Sequence, residues 1–155
     1  MSKQDPVDPG EAEVGVRSWS VVHLTLTVLL ITWSGVSNSG LVFETGVGAI
    51  SDQTRNAFTP ASWAFAIWGP IYLALLAMTL FGLRRAFGLG RSSDFVAQLG
   101  WPFALAQIAC SLWLAVWLLE AVFASLVVMT ILLGSLYLCI RRLDMERWEA
   151  PWAII

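Results

Sequence analysis

The chain has 155 residues, 57% of them apolar or aromatic and 13% charged, with net charge −2 and a single Lys, Lys3. Soluble domains carry about 25% charged residues, so a water-soluble globule is excluded, and the scattered Arg residues form no basic stripe for nucleic acid. A polytopic membrane protein remains, and at about 20 residues per span the length admits four spans but not six.

Residues 1–18, MSKQDPVDPGEAEVGVRS, hold four acidic residues and two Pro and predict a mobile polar tail. Their acidic balance argues against a secretory signal, which opens with a basic stretch. The first apolar run predicts a span over 19–36; its Thr residues bond back to their own helix carbonyls and so sit cheaply in a bilayer. Residues 37–59 are rich in Gly, Ser and Asn and predict a loop. Thr59 as N-cap and Pro60 in the first turn open the second span, 61–83, which carries no charge until Arg84. Pro70 lies mid-span and predicts a kink that frees a carbonyl near Ala66.

From Leu99 to Ile140 the only charge is Glu120. A straight helix over that run would be roughly 60 Å long, about twice the bilayer core. The chain must therefore turn at Glu120, the one residue there that demands water, giving spans of 100–118 and 121–140. Arg141, Arg142, Asp144, Glu146, Arg147 and Glu149 follow as an interfacial segment that ends in APWAII. The predicted fold is an all-α integral membrane bundle, with one four-helix transmembrane domain over 19–140 and an interfacial segment over 141–155.

Orientation follows from the basic residues. Lys3, Arg17, Arg84, Arg85, Arg91, Arg141, Arg142 and Arg147 share one side of a four-span chain, and Arg55 is alone on the other. That asymmetry predicts cytoplasmic termini, in a membrane of the bacterial inner-membrane type.

Nine Trp in so short a chain is the other unusual number. Trp19, Trp33, Trp101, Trp148 and Trp152 lie near predicted span ends, where indole rings form headgroup belts. Trp63 is also near an end. Trp68, Trp113 and Trp117 lie deeper. Trp113 and Trp117 are four residues apart and share a helix face, while Phe65, Trp68 and Tyr72 make a second stripe on the second span. Two such stripes can line a gap for a flat apolar ligand, or pack on each other or on lipid. Gln107 demands a partner inside hydrocarbon, and Cys110 and Ser111 permit close helix approach.

The segment FTPASWAFAIWGPIYLALL, Phe58 to Leu76, resembles the hallmark stretch of the TspO/MBR family of tryptophan-rich sensory proteins. The likeness rests on Pro60, Trp63, Phe65, Trp68 and Tyr72 at the family spacing. The third span is similar to the family's Gln–x3–Asn segment through Gln107, with Ser111 at the Asn position and the following Trp displaced by about one residue. The resemblance implies a helical-bundle membrane protein that binds porphyrins and related tetrapyrroles, in some members sterols, in an aromatic pocket. It implicates Trp63, Phe65, Trp68, Tyr72 and Gln107 as ligand contacts. Family members have five spans, and APWAII resembles the beginning of the fifth, cut short.

The ligand-binding set is thus Trp63, Phe65, Trp68, Tyr72, Gln107, Ser111, Trp113 and Trp117. His23, the only His, is a candidate axial ligand for haem or bacteriochlorophyll, or an interfacial His bonded to a headgroup or carbonyl. Glu120 reads as a water-facing turn residue, and Cys110 and Cys139 as packing thiols. No nucleophile–base pair, metal cluster or phosphate loop occurs, so an enzyme is not expected. Two functions stand side by side. One is a tetrapyrrole-binding sensor or homeostasis protein. The other is a structural accessory subunit of a photosynthetic or respiratory membrane complex, touching lipid, carotenoid, pigments and neighbouring subunits, or a second copy as a homodimer.

Overall fold

The computed structural model describes residues 9–43, 46–53, 61–88 and 94–143. The helices are α1 (Pro9–Asn38), α2 (Val47–Gln53), α3 (Trp68–Phe87), α4 (Asp94–Leu118) and α5 (Val122–Arg142), with a 3-10 turn over Ser62–Ile67 before α3. Four of these segments are long and apolar enough to cross a bilayer: Glu13–Asn38, Trp63–Phe87, Phe95–Leu118 and Val122–Arg142. In the bundle α1 packs on both α3 and α4, α4 packs on α5, and side chains of α3 also reach α4.

The inner face of α1 is polar and small rather than apolar. Ser20, His23, Thr27 and Ser37 are buried along it together with Leu30, at helical steps of three, four and seven residues. That inversion suits a bilayer, where the apolar residues belong outside and close approach of helices is driven by small and hydrogen-bonding side chains. Facing it on α4 is Gln107, and Ala104, Ala106, Ala109 and Cys110 are buried on the same helix.

Several expectations are corrected. The helix of the first span begins at Pro9, well before the apolar run at Trp19. The connection predicted as a loop contains α2, which forms because Val47 and Ile50, three residues apart, both bury against Trp113, Leu114 and Leu118. Pro70 does not kink a span. It stands in the first turn of α3, where a missing N–H costs nothing, and the residues before it wind as a 3-10 turn. Thr59, Pro60, residues 1–8, Arg91 and residues 144–155 lie outside the described residues.

The turn at Glu120 is as expected, and its geometry explains how it works. Glu120 has φ +56°. The Glu120 N–H donates to the Trp117 carbonyl at 2.9 Å and the Ala121 N–H to the Val116 carbonyl at 3.2 Å. This is a Schellman end, which satisfies the last carbonyls of α4 with a left-handed residue that is usually Gly. A second break lies inside α4. Gly100 has φ 41° and ψ −139°, a conformation foreign to a helix, and Pro102 follows it.

Candidate functional site

The aromatic side chains meet where α3, its preceding 3-10 turn and α4 come together, under α2. Tyr72 lies over Trp68 with ring centroids 5.8 Å apart, Trp68 over Trp113 at 5.5 Å, Trp113 over Trp117 at 6.0 Å, and Trp117 against Phe65 at 6.5 Å. The interplanar angles of the first three pairs lie between 29° and 32°, within the offset arrangements that aromatic quadrupoles favour. The row therefore begins on α3, crosses to α4 and returns to the 3-10 turn. Five of the expected residues are thus brought together: Phe65, Trp68, Tyr72, Trp113 and Trp117.

Trp63 is not in the row. It is 79% exposed on the surface of the 3-10 turn. Its neighbours Phe65 and Trp68 turn inward because they pack on the buried cluster built around Val47, Ile50 and Trp113.

Gln107 is 3% exposed, and its amide nitrogen faces α1, not the ring row. The Nε2 group donates to the Thr27 hydroxyl and, at 3.3 Å, to the His23 carbonyl. The other amide atom, Oε1, is buried with no hydrogen-bond partner. Ser111 satisfies its own hydroxyl by donating to the Gln107 carbonyl at 3.0 Å, and the Ser111 carbonyl accepts from Trp33 Nε1 at 3.0 Å. Gln107 and Ser111 thus tie α4 to α1, on a face adjoining the rings.

Two indoles are fixed by polar bonds as well as by stacking. Trp33, expected in a headgroup belt, bonds to α4 and meets Phe43 edge-on at 6.3 Å. Trp117 Nε1 donates to the Val47 carbonyl of α2 at 3.4 Å. The Val47 N–H donates to Asn38 Oδ1 at 3.2 Å, so both ends of that peptide residue hold α2 over the ring row.

His23 occupies a different part of the bundle. It is 3% exposed, and its Nε2 donates to the Gly100 carbonyl at 2.9 Å. Its ring stands edge-on to Phe103 at 5.0 Å and 5.6 Å from Trp19. Ligation of a pigment metal through Nε2 would have to break the bond to Gly100. The reason for that bond is local: the non-helical Gly100 turns its carbonyl out of the α4 ladder, and His23 is the donor that meets it. Sequence reasoning missed Gly100, Thr27 and Trp33 as bundle-forming groups. The Gly100–Trp101–Pro102 run was the available signal for the break.

The basic ends also converge. The Arg17 Nε–H donates to the Ala86 carbonyl at 3.4 Å, Arg142 lies over the Trp101 ring at 5.1 Å, and a Cβ at Gly82 would meet Val96 Cγ2 at 3.1 Å. The start of α1, the end of α3, the start of α4 and the end of α5 therefore share one end of the bundle, opposite α2 and Glu120. Cys110 and Cys139 are free and buried. Among the described residues no group of His, Cys, Asp and Glu could hold a metal ion.

Comparison with known families finds that the model described as TSPO-like protein matches residues 20–155. No curated protein and no solved structure matches the chain.

Proposed function

The chain belongs to the TSPO-like protein family, and on that premise we propose that it is an integral membrane protein that binds a flat hydrophobic ligand, a tetrapyrrole, on the ring row between α3 and α4. The observation that carries this reading is the row Tyr72–Trp68–Trp113–Trp117–Phe65, which joins two spans through side-chain faces. A planar macrocycle gains by continuing such a row, because each aromatic contact contributes about 0.5–1.5 kcal/mol beyond the area it buries. Gln107 serves this site by fixing α4 against α1, and its unpartnered Oε1 offers an acceptor to a ligand donor such as a pyrrole N–H. The role is sensing or homeostasis of the ligand, and no catalytic step is assigned. The basic end of the bundle faces the cytoplasm, by the positive-inside rule.

Titration of the purified protein with protoporphyrin, followed by Trp fluorescence, tests the reading. Saturable quenching is expected, weakened at least tenfold in Trp68→Ala. Absence of saturation, or quenching unaltered in that variant, would refute the site.

A second reading is supported by the exposure of α3, whose span is only 6% buried. A helix so little covered suits an accessory subunit of a larger membrane assembly, with its face against carotenoid, pigment or a neighbouring subunit. Migration on native gels after mild extraction separates the two: a large pigmented assembly supports the subunit, a free monomer or small dimer the binding protein.

A further inference from the structure

Away from the ring row, α1, α3 and α4 frame a small, partly open cavity lined by Ser20, His23, Met78, Thr79, Phe95 and Phe103, among others. We propose that this cavity is a binding site for one water molecule, which ties α3 to α1 through Thr79 on one side and His23 and Ser20 on the other.

Size is the first argument. The space open to a water centre is about 10 Å³, close to what a single water needs.

Hydrogen-bond chemistry is the second. His23 Nε2 carries a proton, because it donates to the Gly100 carbonyl. In the neutral ring Nδ1 is then a lone-pair acceptor, and no bond to it occurs among the described residues. The Ser20 hydroxyl donates to the Arg17 carbonyl at 2.8 Å, and the Thr79 hydroxyl to the Leu75 carbonyl at 2.9 Å. Both hydroxyl hydrogens are spent on their own helices, so each oxygen is left as an acceptor. The residues that line the cavity thus carry three acceptor atoms, one a ring nitrogen and two hydroxyl oxygens, and each of these residues is at least 95% buried. A water, with its two O–H donors, can bond two of these acceptors at a time and so bridge Thr79 to α1. An ammonium-type cation has donors too, but the lining holds no carboxylate to offset its charge, and an uncompensated ion at this depth is far more costly than a neutral molecule.

The third argument concerns α3. Its span is the least buried of the four, and its Thr79 and Gly82 are its only buried residues. Both line the cavity. The one fully buried polar side chain of α3 is therefore at the water site. Bridging waters are nearly as good enthalpically as direct hydrogen bonds.

His23 is the only His in the chain, so selective ¹⁵N-histidine labelling in lipid nanodiscs reports on this one ring. A cross-peak between the His23 ring and water protons is expected in the native chain. It should disappear in Thr79→Leu, whose side chain fills the cavity, while the Nε2 signal bonded to Gly100 persists. Thr79→Ser, which keeps the hydroxyl, should retain the cross-peak. A native chain without the cross-peak, or a Thr79→Leu variant that keeps it, overturns the proposal. Near-UV circular dichroism of the ring row checks that Thr79→Leu is folded. If it is not, the contrast between native and Thr79→Val decides the matter in the same way, since Val matches Thr in shape and removes only the hydroxyl.

Discussion

Of the α3 and α4 spans, α3 has the higher mean hydropathy and yet is the less buried: 61% of the α4 span is buried against 6% of the α3 span. In water the greasier helix would be the more buried. In a bilayer that ordering does not hold, because lipid tails are as apolar as a protein core. What separates the two is the kind of small and polar residue each carries. On α4, Ala104, Ala106, Ala109 and Cys110 let neighbouring backbones approach, and Gln107 bonds across to α1. α3 offers Leu73, Leu80 and Phe81 to its surroundings and fully buries only Thr79 and Gly82. Interior position within the membrane is thus written in residue size and hydrogen-bonding capacity.

Substitutions graded by stability can break or sharpen this contrast, read as unfolding in mild detergent. Trp113→Ala on α4 removes a buried indole from the middle of the ring row and should cost about 3–5 kcal/mol. Gly100→Ala forces a side chain into a backbone conformation that only Gly adopts freely, and about 2 kcal/mol should be lost. Gln107→Leu keeps the volume but removes both bonds to α1, a cost of about 1–2 kcal/mol. Glu120→Gly should run the other way and stabilise by about 1 kcal/mol, since Gly carries no penalty at positive φ. Leu73→Ala on α3, a residue 69% exposed, should change unfolding by less than about 0.5 kcal/mol. If Leu73→Ala costs as much as Trp113→Ala, α3 is not a lipid-facing helix and the contrast fails.

Much of this architecture is legible in the chain itself. A single carboxylate in a 42-residue apolar run marks the α4–α5 turn, because nothing else there requires water, and both stripes of rings follow from helical spacing. The start of α1 at Pro9 is not legible, because polar residues that continue a helix beyond the hydrocarbon leave no apolar signature. The position of Pro70 misled for a related reason: the apolar run extends through the 3-10 turn, so its length suggests a helix interior where the structure has a helix start. Gln107 was legible as an interior residue. Its direction toward α1 was not, since that depends on which neighbour lies on which side, a property of packing order that no single span encodes. His23 was legible as unusual, yet its partner is a backbone carbonyl exposed by a distant Gly.

The tight connection between α4 and α5 bears on how the protein reaches its membrane. Leu119, Glu120 and Ala121 are all that separates two long helices that pack closely along their length. The pair can enter the lipid as one prefolded hairpin, and the tip that leads it carries a single carboxylate, so delivery of two spans requires the transfer of only one charged group from one side to the other.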